Sequence, residues 1–517
     1  MFDLLIVLSY FSIVLFVALS GRKKGEEVST EEFFLSSRSL RWPSIALSTI
    51  ATNIQGYQFL GMMGSAYLYG LAQANFEINA VQGMWLAAFV FGPLYLKERI
   101  ITITQFIQKR MGEWVALTYS VANMLLFATI GLGAALFWGA YAADLVFGEI
   151  FATYIPEAQT RITLLIIFLG VFSAIYTFFG GLTAVVRTDI IQFSLLTLGG
   201  IILLFISVKE LGGIGELYEQ TGDKMHLHLS NDHPKLPWIG MIGLLFLNIN
   251  YWCANQSVIQ RSLAARSLKD VQIGLMVGGL LKYMMAAIII IPGIALVGVL
   301  GENGLADPDA AFPYLINHFL PTGLRGIIVC ALFASLMSTV DSTFNSLGTL
   351  FSIDIYQKYL NPPATDRQMV NAGKMTILVT LFSGILTAYL LMTAKLDNAE
   401  VAFTHTLNEL RTYINGGIVV IICLAVLLTK PDQWRVLIAA LLTIGFHAIF
   451  LHYTPEMSYL ERALWVILLA LAVGLVSHIG KSRLSPVHHI YQAATRRTQW
   501  FGWIMLASLV GLHVIFS

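Results

Sequence analysis

Residues 335–346 read SLMSTVDSTFNS, between IIVCALFA (327–334) and LGTLFSIDIY (347–356). The flanks are apolar enough to lie in a bilayer, yet the stretch holds six hydroxyl residues, one acid and one amide. At 100° per residue, Ser335, Ser338, Thr339, Ser342 and Ser346 share an arc of about 100° on a helix, flanked by Asp341 and Asn345. Close helix packing and bonding to the i−4 carbonyl account equally well for Ser342, Thr343 and Ser346. Neither accounts for Asp341, which needs a cation, a proton or a basic partner at membrane depth. A hard cation such as Na⁺ wants several oxygens, some of them neutral. Hydroxyls at 338 and 339 beside a carbonyl near 335 supply three.

The whole chain fits that setting. Of 517 residues, 57% are hydrophobic and only 12% charged, with a mean hydropathy of +0.73. The apolar residues come in runs of roughly 18–25, the length of a helix crossing a hydrocarbon core. About fourteen such runs predict an all-α polytopic membrane protein of one transmembrane domain, 1–517. The net charge of +1 gives no electrostatic case for nucleic acid. The cysteines, Cys253, Cys330 and Cys423, fall in apolar stretches with no disulfide or metal spacing. The first apolar run, about 4–19, is followed rather than preceded by its basic residues, Arg22, Lys23 and Lys24. It therefore reads as an uncleaved helix and not a signal peptide.

Loop charge sets the orientation. With the N-terminus outside, every predicted cytoplasmic loop is basic, the one holding Arg261, Arg266 and Lys269 included. The external loops hold Arg161, Lys209, Lys224, Lys235, Arg325, Lys395 and Arg462. Both termini are predicted to lie outside, in the cell membrane.

The informative ionisable residues in the predicted spans are Glu77, Asp189, Lys282, Asp341, Glu409 and Arg411, each a functional candidate by default. Glu77 and Lys282 suit a buried pair, and the same pair suits a polyol, whose hydroxyls donate and accept. Glu409 and Arg411, in TLNELRTYING (406–416), read as a structural or gate pair, and His405 as a satisfied or solvated histidine. A broken helix must supply further oxygens, because an intact helix uses its own carbonyls. ATNIQGYQF (51–59) offers one, freeing carbonyls around Ala51 and Ile54, with Asn53, Gln55 and Gly56 as poor helix formers. NINYW (248–252) offers another. Two interrupted helices five spans apart suggest an inverted repeat with the binding site between the breaks.

Several stretches together resemble the sodium:solute symporter family, and within it the sodium/sugar cotransporters. YTFFGGLTA (176–184) followed by VVRTDIIQ, NQSVIQRSLAARS (255–267) and SLMSTVDSTFNS through FSIDIY are similar to family motifs, and FEINA (76–80) to the sugar branch. The similarity spans roughly residues 40–430. It implies a LeuT-like fold with a 5+5 inverted repeat and broken first and sixth core helices. The leading helix and loop would be 1–40, the core 41–430 and the trailing helices 431–517.

The resemblance also implies a Na⁺ site at Ala51, Ile54, Ser335, Ser338 and Thr339. A sugar site follows at Gln58, Glu77, Asn248, Lys282 and Asn408, with Tyr251 as inner gate and Asn53 as its hydrogen-bond partner. Ala80, Tyr57 and Met62 depart from relatives in the pocket wall, so the sugar can differ from galactose or glucose. Asp189, Asp341 and Ser342 suggest a second Na⁺ or a shared proton. The expected function is secondary active transport coupling Na⁺ entry to uptake of a sugar or polyol across the lipid bilayer, without enzymatic activity. The rival is a symporter of the same fold for an amino acid, a vitamin or an organic anion. A sensor or membrane enzyme would need a signalling domain or a nucleophile–base pair, and neither is visible.

Overall fold

The computed structural model describes residues 2–20, 28–54, 58–301, 304–397, 403–486 and 490–517. Among them all regular structure is helical, apart from two isolated bridges, Leu40 with Ala265 and Leu428 with Leu484. In chain order come α1 (Phe2–Leu19), α2 (Trp42–Asn53), α3 (Met63–Tyr69), α4 (Asn75–Ile78) and α5 (Ala80–Leu86). Then follow α6 (Glu113–Leu126), α7 (Leu132–Ala152), α8 (Ala158–Leu211), α9 (Trp238–Asn248), α10 (Gln256–Leu263) and α11 (Leu268–Leu300). The last are α12 (Leu324–Leu350), α13 (Asp366–Asp397), α14 (Phe403–Leu427), α15 (Gln433–Tyr453), α16 (Tyr459–Ser477) and α17 (Arg496–Ile515).

Among the described residues, ten helical stretches are long and apolar enough to cross a membrane, and two shorter apolar ones, Trp238–Ala254 and Arg411–Leu427, accompany them. α8 has 54 residues, about 80 Å at 1.5 Å per residue against a hydrocarbon core of about 30 Å. It is broken at Gly181, whose φ of 55° and ψ of −153° leave the helical region. The break makes two arms of α8, each long enough for one crossing.

Two other helices are interrupted. α2 stops at Asn53, and Ile54 turns to extended backbone (φ −78°, ψ 105°). After residues 55–57, outside the described set together with the expected Gln55, Gly56 and Tyr57, the chain rewinds as a wide π turn, Gln58–Met62, into α3. The second break is displaced from expectation. NINYW stays wound, as the end of α9 and a π turn over Ile249–Ala254. The interruption falls at Asn255 (φ −82°, ψ 115°), whose side chain caps α10 by accepting from the Ser257 N–H. Asparagine's taste for such caps, rather than its poor helix propensity, places the break. The two breaks share nearly the same backbone conformation.

α12 is the central post. In its most apolar window 94% of residues are buried, against 33% for α13. Its most extensive neighbour is α8. The polar face of SLMSTVDSTFNS therefore meets protein on all sides, and its hydroxyls find partners in other helices.

Gly181 makes a sharp test of this framework. An added Cβ would lie 2.5 Å from the Phe33 carbonyl oxygen, at a left-handed φ. Gly181→Ala is expected to destabilise the fold by about 1–3 kcal/mol and to lower the thermal unfolding midpoint in detergent, read by tryptophan fluorescence. Gly215→Ala, whose Cβ meets nothing within 4 Å, should leave the midpoint unchanged or slightly raised. Equal shifts would show that the bend does not need glycine.

Candidate functional site

The break at Ile54 faces the hydroxyls of α12. Ser335 Oγ donates to the Ile54 carbonyl at 2.7 Å, and Thr339 Oγ1 to the Thr52 carbonyl at 3.3 Å. Carbonyls with no successor turn to serve are thus met by side chains one helical turn apart. Ala51 is buried on the same last turn of α2. Ser338 is rotated away from the break and donates to the Asp189 carboxylate. Of the expected ion-site residues, then, Ile54, Ser335 and Thr339 meet directly, Thr52 joins them, and Ser338 is engaged with Asp189.

A charged cluster lies behind this face. Asp189, in the second arm of α8, also accepts from Ser48 Oγ and from Arg261 Nη2 at 3.3 Å. Arg261, expected in a solvated cytoplasmic loop, is instead fully buried. Its Nε donates to Ser48 Oγ at 3.0 Å, and its other nitrogens reach the Ser257 carbonyl and Ser342 Oγ. The correction has a simple cause. α10 lies inside the protein, all eight of its residues being buried, so a basic, polar stretch that reads as loop packs against the core. Asp341 accepts from Tyr176 OH at 2.6 Å and weakly from Ser342 Oγ at 3.4 Å. No Lys or Arg nitrogen among the described residues pairs with it.

Beside the ion face is a cavity of about 220 Å³, lined by Thr52, Gln58, Glu77, Asn248, Tyr251 and Lys282 among others. Glu77 and Lys282 form an ion pair with side chains only 1–2% exposed. The other Glu77 oxygen accepts from Gln58 Nε2 at 2.7 Å, and Lys282 Nζ also donates to Asn53 Oδ1 at 2.5 Å. Asn248 Nδ2 donates to the Asn79 carbonyl at 2.9 Å, and its Oδ1 accepts from Trp252 Nε1 at 3.2 Å. Thr52 and Thr339 line the cavity too, so it opens onto the ion face. Its rim of paired donors and acceptors around aromatic rings suits a neutral, polyhydroxylated solute.

Two expectations change. Asn53 binds Lys282 rather than Tyr251, because the short amide lies against the ammonium at the end of α2. Glu409 pairs with Arg462 of α16 at 2.6 Å, not with Arg411, since residues two apart on a helix point in different directions. Arg411 lines the cavity instead. Asn408 lies on α14, but its side chain and that of His405 are outside the described residues. Ala80 and Met62 both line the cavity. The signal that could have found Arg261 was its spacing: Ser257 and Arg261 lie one helical turn apart, just after the second break.

Comparison with known proteins follows this geometry. Residues 33–442 match the sequence profile of the sodium:solute symporter family. A sodium/glucose cotransporter of Vibrio parahaemolyticus is 30% identical over 501 residues, covering 91% of this chain and 89% of that protein. Sodium/glucose cotransporter 1 of Mus musculus is 28% identical over 487 residues, covering 86% and 71%. The substrate-bound, outward-open structure of a Na⁺-coupled sialic acid symporter superposes with a TM-score of 0.80 at 20% identity, covering 94% of this chain and 99% of that one. Mhp1, a nucleobase-cation-symport-1 family transporter in a closed conformation, gives 0.53 at 14% identity, covering 94% and 100%. The similarity runs through both helix breaks and through α12. The chain belongs to the sodium:solute symporter family.

Proposed function

We propose that this protein is a Na⁺-driven symporter of a sugar or polyol that works by alternating access. The observation that carries the reading is the meeting of the Ile54 and Thr52 carbonyls with Ser335 and Thr339 at the wall of the same cavity that holds Glu77 and Lys282. The sugar follows from that cavity's neutral pairing and from the sodium/glucose cotransporters among its relatives. A carboxylated solute beside Lys282 would need that cation unmatched, and Lys282 is matched by Glu77.

In this reading Na⁺ binds from outside among Ala51, Ile54, Ser335, Ser338 and Thr339, replacing the hydroxyl-to-carbonyl bonds, and stabilises the outward-open form. Sugar then docks on Gln58, Glu77, Asn248, Lys282 and Asn408 and stacks on Tyr251. The core rocks, Na⁺ leaves inward, and Tyr251 releases the sugar. One Na⁺ falling through about 100 mV supplies roughly 2.3 kcal/mol, and a tenfold gradient roughly 1.4 kcal/mol more. Together they support roughly a 500-fold sugar gradient.

The same reading takes α8 as two crossings, Leu60–Lys97 with α2 before it as two, and the other eight long helices and the two shorter apolar ones as one each, fourteen crossings in a 5+5 inverted repeat, in the cell membrane with both termini outside. The similar backbone at Ile54 and Asn255 supports the repeat. A second Na⁺ at Asp189, Asp341 and Ser342 is supported by charge: Arg261 matches Asp189, while Asp341 has no basic partner among the described residues.

Proteoliposomes with an inward Na⁺ gradient, compared with equal K⁺, test the whole reading with a labelled sugar panel. Thr339→Ala is expected to raise the Na⁺ concentration for half-maximal uptake about tenfold, and Ser335→Ala with Thr339→Ala to abolish Na⁺ dependence. Uptake that keeps its Na⁺ dependence in the double variant would remove this site.

Lys282→Met strands a buried carboxylate at a cost of about 3–5 kcal/mol. Lys282→Met with Glu77→Gln is expected to recover the unfolding midpoint without recovering sugar uptake. Recovery of uptake would show that the pair is structural only.

Reversal potentials should give two Na⁺ per sugar, falling to one in Asp341→Asn. A ratio of one in both proteins would exclude the second ion, and a ratio that follows external pH would assign that place to a proton.

A further inference from the structure

A larger cavity lies outside the transport site. It measures about 800 Å³ and is walled by the end of α8, the following short helix, the middle of α11 and the last turn of α17. Nearly every lining residue is apolar, Lys209 and Tyr283 being the main exceptions. The Tyr283 hydroxyl is engaged with Ser508 Oγ at 3.1 Å and the Met505 carbonyl at 3.3 Å. Phe205, Ile214 and Tyr218 flank the mouth with 71, 70 and 51% of their surfaces exposed, so the groove is open to the outside of the protein at the end of α8 and the short helix after it. Lys209 is on the lining, exposed and in no ion pair among the described residues.

We propose that this groove holds an acyl chain of a phospholipid, with the lipid's phosphate on Lys209. Water is a poor occupant, since a buried water needs two to four polar partners and this wall gives almost none. A void would forfeit van der Waals contacts along its whole lining. The groove lies where the membrane-length helices α8, α11 and α17 meet, so lipid chains are the apolar molecules at hand to fill it. Burial alone does not select one lipid here, because the bilayer interior is as apolar as the groove. The selecting group is the Lys209 ammonium on the groove's lining, which can pair with a lipid's phosphate.

The back wall gives the site a consequence. Leu71, Ala74 and Ile78 face the groove, while Gln73, Phe76 and Glu77 of the same segment face the transport cavity. On α11, Lys282 faces the cavity and Tyr283, Ala286 and Ala287 face the groove. One layer of backbone therefore separates the lipid from the Glu77–Lys282 pair, and a seated chain braces both of its carriers.

The full chain, stripped of lipid in detergent and then exposed to dioleoylphosphatidylethanolamine, tests this by native mass spectrometry. The wild type is expected to retain one lipid under detergent conditions that remove the rest. Ala287→Trp, which fills the groove from α11, and independently Val208→Trp, which fills it from α8, are expected to lose that lipid while unfolding near the wild-type midpoint. If one of them fails to fold, the other carries the test. Lys209→Ala should weaken retention about fivefold, and dioleoylglycerol, which lacks the phosphate, should bind the wild type as weakly. No retained lipid in the wild type, or equal retention in a folded groove-filling variant, overturns the site. Retention of dioleoylglycerol or a sterol equal to that of the phospholipid overturns the role of Lys209. The readout uses neither Na⁺ nor sugar, so it stands or falls apart from the transport reading.

Discussion

A peptide group in hydrocarbon must find a hydrogen-bond partner inside the protein, and the break at Ile54 puts several without one at membrane depth. The rest of the structure is arranged around that debt. α12 has to be central, because only a helix surrounded by protein can present hydroxyls to another helix's broken end. It has to carry serine and threonine, because bulkier polar side chains would hold the two backbones apart. The same oxygens that relieve the break form a neutral coordination shell, so the feature that makes the fold possible also makes an ion site possible.

Two buried ion pairs flank this core, and they do different things. Glu77 and Lys282 close on each other with Gln58 and Asn53 as satellites. Taking such a pair out of water costs several kcal/mol per ion and is recovered only with good geometry and saturated hydrogen bonds. A sugar hydroxyl entering beside the pair exchanges one set of bonds for another and need not uncover a bare charge. Asp189 and Arg261 tie α8 to the buried α10 and, through Ser48 and Ser338, to α2 and α12. That pair fixes where four helices sit relative to one another behind the ion face.

Much of this was legible in the sequence for a physical reason. Charges are so rare in the spans that Glu77 and Lys282 advertise their partnership, and the polar face of 335–346 has no lipid-compatible explanation. What escaped was geometry at the loops. Arg261 looks like any basic residue of a cytoplasmic connection, and only its one-turn spacing from Ser257 marks a helix packed inside the protein. Glu409 and Arg411 are neighbours in sequence, and their separation in space depends on α16, some fifty residues later. NINYW looks like a break because asparagine is a poor helix former, yet a π turn absorbs it and Asn255 ends the helix by capping the next. Composition reveals what a membrane will not tolerate; it does not reveal which distant element answers for it.

Thr52 belongs to both regions at once. Its carbonyl meets Thr339, its hydroxyl lies 3.1 Å from Ser342 Oγ, and its surface borders the cavity. In the proposed site no rigid spacer insulates the ion's ligands from the solute's chamber. Tight coupling of two fluxes requires that neither cargo shuttle alone, and a shared residue is the most economical guard against such slippage. The same intimacy limits evolutionary freedom: retuning the chamber for another solute at this wall also perturbs the cation's grip, so new specificities are easier to reach from the opposite side, where Ala80 and Met62 stand.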